Sequence, residues 1–309
     1  MDALEVLRGG FLLTACAILA INNIPAFRRR FIFYGPRAVS SPTKSSLADK
    51  APTPRKDSWV ELLLDRIATW NVPHSYFIHF YIVSVISSTL WGIQLATRGP
   101  LFRAVASTIN RAWLSEYSMS CHQIVLCWAL LALQGVRRLY ECFALTKPST
   151  SKMWFGHWLF GLAFYISMGI AIWIEGTGAL LSSDISLGDI RIVAPSLKTM
   201  LFLPVFLIAS GIQHDCHCYL ASLKKYTLPE HPAFVRIICP HYTAECAIYL
   251  SLSVLAAPKG SLVNKTIFSG FILAVINLGV SAGTTKEWYI QKFGNDKVQN
   301  KWRMIPRLY

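Results

Sequence analysis

The chain has 309 residues, 53% of them apolar and only 15% charged, with a mean hydropathy of +0.41. That exceeds what a soluble domain needs for its core, so the surplus has to face lipid. The net charge of +14 is divided among short segments between apolar runs, with no continuous basic, aromatic-studded face. It therefore points to membrane orientation and excludes nucleic acid as the expected partner.

Eight cysteines lie in or beside apolar runs without regular disulfide spacing, and read as buried small residues or reduced thiols. The first apolar run, from Phe11 to Ile24, has no basic region before it and is followed at once by Arg28, Arg29 and Arg30. A cleaved signal peptide carries its charge the other way round, so a retained anchor is expected.

Seven apolar runs follow in order, at about 6–24, 76–96, 121–135, 154–174, 199–213, 244–257 and 266–282. A span takes roughly 20 helical residues, and the third and sixth runs need their flanks to reach that length. The expected fold is thus an all-α polytopic membrane protein of about seven transmembrane helices. Alternate connections test the count: the odd ones and the C-terminal tail hold 22 Lys and Arg, the others 8. The positive-inside rule then places the N-terminus in the lumen and the C-terminus in the cytosol. The one glycosylation acceptor, Asn264-Lys265-Thr266, falls in a connection assigned to the lumen. The segment from Tyr34 to Asp57, rich in Pro, Ser and Lys, reads as a cytosolic linker, and Ser182 to Ala194 as an irregular lumenal loop. No internal repeat is visible, against the duplicated plan of many transporters.

Polar residues crowd into Ser210 to Glu245, between two apolar runs. Gln213 and His217 are i and i+4 on one helical face that Lys224 continues, and they either converge on a ligand at the cytosolic mouth or form a polar helix end meeting water. His241 and Glu245 share a face at the start of the sixth run, behind Pro240. A carboxylate at the edge of hydrocarbon is costly unless paired, which marks Glu245 as a site residue or as the salt-bridge partner of Arg138 or Lys224. Arg137 and Arg138 close the third run, as topology anchors or as a fork for a phosphate. Cys216, Cys218, Cys239 and His241 invite a metal reading, but Cys-x-Cys on a helix turns the two thiols about 200° apart, and no metal is expected. His79 lies one turn inside the second run with Tyr81 nearby, so either is placed to deliver a proton inside the bundle. The basic, aromatic tail from Lys301 to Tyr309 either lies on the membrane surface or folds back onto the bundle.

In chain order, VPHSYFIHFY, RRLYEC, Q-x-x-CHxxLxxLKK, PHYxxExxIYL, WYxxKF and a terminal R-x-IP-x-x-Y together resemble the steroid 5-alpha-reductase family, most nearly its polyprenol reductase branch. The resemblance covers most of the chain from about residue 70 and is strongest after Gln213. It implies an NADPH-dependent reductase of the endoplasmic reticulum membrane, acting on a long-chain isoprenoid, with the cofactor entering from the cytosol. Residues 1–70 would be anchor and linker, and 71–309 the reductase domain with its NADPH-binding motifs toward the C-terminus. Carried over residue by residue, Gln213, His217 and Lys224 resemble nucleotide-binding positions, as do His241, Tyr242 and Glu245. Arg138, with Arg137 beside it, resembles the arginine ending the third span, and Tyr289 the tyrosine of the final motif. Steroid-acting members have Asn at the positions of Gln213 and His241, and a catalytic Tyr where this chain has Gln134-Gly135. The catalytic donor is therefore expected from His79 or Tyr81.

Hydride adds readily to a C=C bond only where the charge it leaves is delocalised, as onto a conjugated carbonyl. An allylic alcohol has no such sink. The expected substrate is therefore polyprenal rather than polyprenol, with a preorganised donor at the developing oxyanion. Two other readings stay open: a reductase of a sterol or other enone, and a polytopic lipid transporter without chemistry.

Overall fold

The computed structural model describes residues 2–32, 59–110, 118–182, 195–224 and 226–309. The expected linker at 34–57 and, beyond Ser182, the expected loop at 182–194 lie outside the described residues, as does Lys225.

Each of the seven apolar runs lies in or largely overlaps one long helix. These are α1 (Ala3–Asn23), α4 (Ile78–Thr97), α6 (Cys121–Leu145), α7 (Phe155–Ile174), α9 (Leu197–Ser222), α10 (Pro240–Leu255) and α11 (Lys265–Phe293). Among the described residues, four shorter helices occupy connections: α2 (Pro25–Phe31), α3 (Trp59–Ala68), α5 (Pro100–Ala106) and α8 (Thr177–Ser182). The described strands are β1 (Asn71–Pro73) and β2 (Lys152–Trp154), an antiparallel pair with Val72 opposite Met153. Among the described residues, five helices are long and apolar enough to cross a membrane: α1, α4 with the turn before it, α7, α9 and α11. The polytopic all-α architecture stands. The count of seven is not carried by length and composition, because α10 has 16 residues and α6 is interrupted at its C-terminal half by Arg137, Arg138 and Glu141.

Local chemistry sets the helix starts. Asp2 caps α1 through Leu4 N at 2.9 Å. Ser120 and Gln123 form a reciprocal capping box on α6. Gln123 Nε2 then reaches Leu255 O and Ala257 O at 3.1 and 2.9 Å, tying α6 to the end of α10. Pro240 occupies the first turn of α10, where its missing N–H costs nothing. α9 turns a stripe of Leu201, Val205, Ile208 and Ile212 outward, at the 4-3-4 spacing of one helical face. Its opposite side buries Phe206, Ala209, Gln213 and Cys216 against the bundle. An apolar outward face, with the polar Gln213 turned into the bundle, is the arrangement that lipid imposes.

Asn264, the expected glycosylation acceptor, is fully buried. Its Oδ1 caps α11 through Ile267 N at 3.0 Å, and its Nδ2 donates to Ala256 O at 3.3 Å. The amide that a glycan would need is spent inside the protein, so this sequon is a helix cap.

The two sets of connections separate to opposite ends, as the charge count expected. At one end Arg28 pairs with Glu287 at 2.8 Å, Arg30 pairs with Asp65, and β1 pairs with β2. At the other, Arg8 reaches Glu175 at 2.8 Å and Thr266 Oγ1 at 3.0 Å. The C-terminal tail folds back at the first end: Ile238 N donates to Trp302 O at 2.8 Å and Trp302 N to Arg236 O at 2.8 Å. The tail buries Val298 and Met304 and lays the Arg303 guanidinium 4.6 Å over the Tyr309 ring.

Candidate active site

A partly open cavity, about 870 Å³ with the solvent space at its mouth included, lies inside the more basic end of the bundle. Its inner wall is aromatic, formed by Phe77 and Phe80 with Phe160, Phe164 and Tyr165 of α7. Its polar wall comes from three helix ends that meet there: Arg138 of α6, Gln213 and His217 of α9, and His241, Tyr242 and Glu245 of α10.

One carboxylate organises that polar wall. Glu141, with a side chain only 2% exposed, accepts on Oε1 from Arg137 and on Oε2 from Arg138, its i−4 and i−3 neighbours on α6. His214 Nδ1 lies 2.7 Å from Oε1 and His217 Nδ1 2.8 Å from Oε2. His217 Nδ1 is also 2.6 Å from Arg138, and it can donate to the carboxylate or accept from the guanidinium, not both.

Arg138 is buried, and each of its three guanidinium nitrogens has a protein partner. Nε and one terminal nitrogen reach the Tyr81 hydroxyl at 3.1 and 2.7 Å, and the other terminal nitrogen reaches Glu141. It works as a brace between Tyr81 and Glu141, not as a free fork. Arg137 reaches Gln134 Oε1 at 2.9 Å and also donates to Gln213. Gln213 passes the network on to α10 by donating to Glu245. Glu245 is therefore held by an amide, not by Arg138 or Lys224 as one expectation had it, because Arg138 is already committed and Lys224 is exposed beyond the end of α9.

The predicted site residues divide in two. Tyr81, Arg138, Gln213, His217, His241, Tyr242 and Glu245 line the cavity, and Arg137 stands directly behind it. His79, Lys224 and Tyr289 do not line it. The His79 ring lies tilted against Tyr76 at 4.5 Å and edge-on to Trp158, two positions round the helix from Tyr81. α9 ends at Ser222 and Leu223 is extended, so Lys224 leaves the face that Gln213 and His217 share. Tyr289 packs with Trp288 and Phe293 under the tail.

Sequence reasoning missed Glu141, Gln134, Tyr165 and Tyr249. Glu141 carried a signal, the i+3 and i+4 spacing from two arginines, and so did Tyr249, one turn beyond Glu245. Tyr165 lies inside an unbroken apolar run and carried none. At the departure from the steroid-acting pattern, Gln134 bonds Gln213 at 2.8 Å, and a Cβ on Gly135 would stand 2.7 Å from Ser84 Oγ.

Two polar atoms are buried without a partner at the site, His241 Nδ1 and Arg137 Nε. An orphaned polar atom beside a cavity is a place for a ligand to bond. These atoms, with the amide, imidazole and phenol groups around them, suit a polar, hydrogen-bonding cofactor. A second, more apolar cavity of about 720 Å³ adjoins the first and shares His157, Phe160, Asn277 and Ser281 with it. It runs between Ile18 and Ile21 of α1, Trp154, and the middle of α11.

Residues 177–309, which include the α9 and α10 side chains of the polar wall, match the family model described as 3-oxo-5-alpha-steroid 4-dehydrogenase. The curated relatives narrow the resemblance. Polyprenal reductase 2 of Oryza sativa subsp. indica is 26% identical over 287 residues, covering 77% of this chain and 80% of the relative. Polyprenal reductase of Saccharomyces cerevisiae is 29% identical over 258 residues, covering 83% of each. That of Xenopus laevis is 26% identical over 272 residues, covering 82% of this chain and 81% of the relative. The family resemblance read from the motifs, and its branch, are borne out.

Proposed function

We propose that this chain is a membrane-embedded, nicotinamide-dependent reductase that saturates the alpha-isoprene C=C bond of polyprenal in dolichol synthesis, and so supports protein N-glycosylation. The observation that carries this reading is the Tyr81–Arg138 pair in the wall of an aromatic cavity that a more apolar groove adjoins through His157, Phe160, Asn277 and Ser281. The relatives' names specify the aldehyde, in agreement with the electron-sink argument.

A tyrosine hydroxyl has one proton and two lone pairs. Two guanidinium nitrogens direct their N–H groups at Tyr81 Oη and the Tyr165 hydroxyl is its further side-chain partner, so a carbonyl oxygen in the cavity would take the Tyr81 proton in place of Tyr165. Tyr81 is thereby a preorganised donor for the carbonyl oxygen of an enal, worth about 3 to 4 kcal/mol in the transition state. The positive charge of Arg138 behind it favours the anion developing there. His79 has no comparable position, so the donor role is assigned to Tyr81 alone.

NADPH is the cofactor of this proposal, and when bound it supplies the hydride. Gln213, His217, His241, Tyr242 and Glu245 are the residues that would hold it, and the orphaned His241 Nδ1 is the first bond it would satisfy. The apolar groove takes the prenyl chain, with the aldehyde inward and the tail toward lipid. With the arginine-rich end in the cytosol, the cofactor enters from there and the N-terminus lies in the lumen of the endoplasmic reticulum.

The test is NADPH consumption by purified protein in detergent with polyprenal, polyprenol or a 3-oxo-4-ene steroid in turn. Turnover on polyprenal alone, lost in Glu245→Ala, supports the reading. Equal rates on alcohol and aldehyde without a dehydrogenase present would remove the electron-sink argument, and preference for the steroid would reassign the substrate. Binding of isoprenoid without NADPH use would favour the transporter.

A further inference from the structure

Behind the catalytic cavity, α9 carries a second constellation that the reductase reading does not use. Cys218 Sγ lies 3.5 Å from His214 Nε2, and the other nitrogen of that ring, Nδ1, lies 2.7 Å from Glu141 Oε1. Cys218 and His214 are i+4 and i on one helix, so the contact is built into a rigid element. The carboxylate is fixed in turn by Arg137 and Arg138, and its side chain is 2% exposed.

Thiol, imidazole and buried carboxylate in that order are the parts of an activated nucleophile: a base within reach of the sulfur, and a third group holding the base in the right tautomer. With Nδ1–H donating to Glu141, Nε2 is left unprotonated and faces the thiol. His214 is 41% exposed and Cys218 half-buried, so the pair is open to small molecules, whereas Cys127, Cys216 and Cys246 are sealed in the bundle.

We infer that Cys218, activated by His214 and Glu141, is a site of covalent modification by soft electrophiles of the conjugated-carbonyl class, and that the adduct lowers cofactor binding. In the step, His214 Nε2 takes the thiol proton and sulfur bonds to the β carbon of the electrophile. The C=C π pair moves to the α carbon, and that carbon takes the proton back from the imidazolium. The reaction is an addition, with no leaving group and no oxidant. The coupling to the cavity is direct: the adduct displaces His214 from Glu141, and the same carboxylate aligns Arg138 and His217. Alkylation itself does not depend on the reductase reading, while the cofactor arm rests on it.

The experiment treats the intact purified protein with N-ethylmaleimide and, separately, with a short-chain enal, and follows the Cys218 adduct by peptide mass spectrometry. At neutral pH the wild-type rate should exceed that of His214→Gln by at least about a hundredfold, the low end for a positioned base. In His214→Ala, added imidazole should restore part of the rate, which loss of fold would not allow. NADPH binding, read by fluorescence, should fall severalfold on modification and stay unchanged in treated Cys218→Ser. Equal rates in wild type and His214→Gln, or no imidazole rescue, would overturn the activated thiol. Full NADPH affinity in quantitatively modified protein would overturn the coupling. Failure of untreated protein to bind NADPH would count against the reductase reading and leave the alkylation result standing.

Discussion

Replacing Glu141 by Gln keeps size and shape and removes one charge. The structure makes that change expensive. Each carboxylate oxygen faces an arginine and a histidine nitrogen: Arg137 and His214 on Oε1, Arg138 and His217 on Oε2. Whichever oxygen becomes the amide NH₂ is turned toward a guanidinium, so a donor meets a donor and a buried cation loses its counter-charge. Breaking a buried ion pair from one side costs about 3 to 5 kcal/mol. Arg137 is 18% exposed and recovers part of its share from solvent, so the lower end, about 3 kcal/mol, applies. Thermal unfolding in detergent, followed through the tryptophans, should show a midpoint about 6 °C lower than wild type. A double-mutant cycle with Arg138→Gln should give a coupling of at least about 2 kcal/mol. A Glu141→Gln protein that melts within about 1 °C of wild type, with no coupling, would refute the view of Glu141 as the fixed point of the site.

Tyr81→Phe removes the hydroxyl that Arg138 orients and should lower kcat on polyprenal by about 10² to 10³-fold with little change in KM for NADPH, since the lost bond is made to the developing oxyanion. A fall confined to KM would assign Tyr81 to ground-state binding instead. Ile18→Trp, in the groove between α1 and α11, should reduce kcat/KM for a long-chain polyprenal while sparing a ten-carbon enal such as citral; equal losses on both would place the tail elsewhere. Asn264 should carry no glycan, so glycosidase treatment should leave electrophoretic mobility unchanged, and Asn264→Ala should destabilise by about 1 kcal/mol through loss of the α11 cap.

The sequence by itself determined the class and the order of the elements. Each of the seven apolar runs fell in a helix, and where such a segment is surrounded by lipid its backbone can be satisfied only internally. The segregation of Lys and Arg between connections was legible too, since charge order along the chain decides which connections share an end. His241 and Glu245, four apart behind Pro240, were readable as one face because helical geometry alone puts them there. What needed tertiary structure was everything set by contacts distant in sequence. Glu141 was visible as a neighbour of two arginines, but its meeting with His214 and His217 depends on how α6 crosses α9. Tyr81 and His79 were indistinguishable as donors until the rotation of α4 turned one toward Arg138 and the other toward Trp158. Lys224 continued the pattern of Gln213 and His217 on paper, and lost it because α9 ends two residues earlier. Tyr165 lies in an apolar run without any mark, and only the packing of α7 against α4 brings it to the cavity. Periodicity records which side of an element is buried; which buried groups face one another is decided by the docking of whole helices.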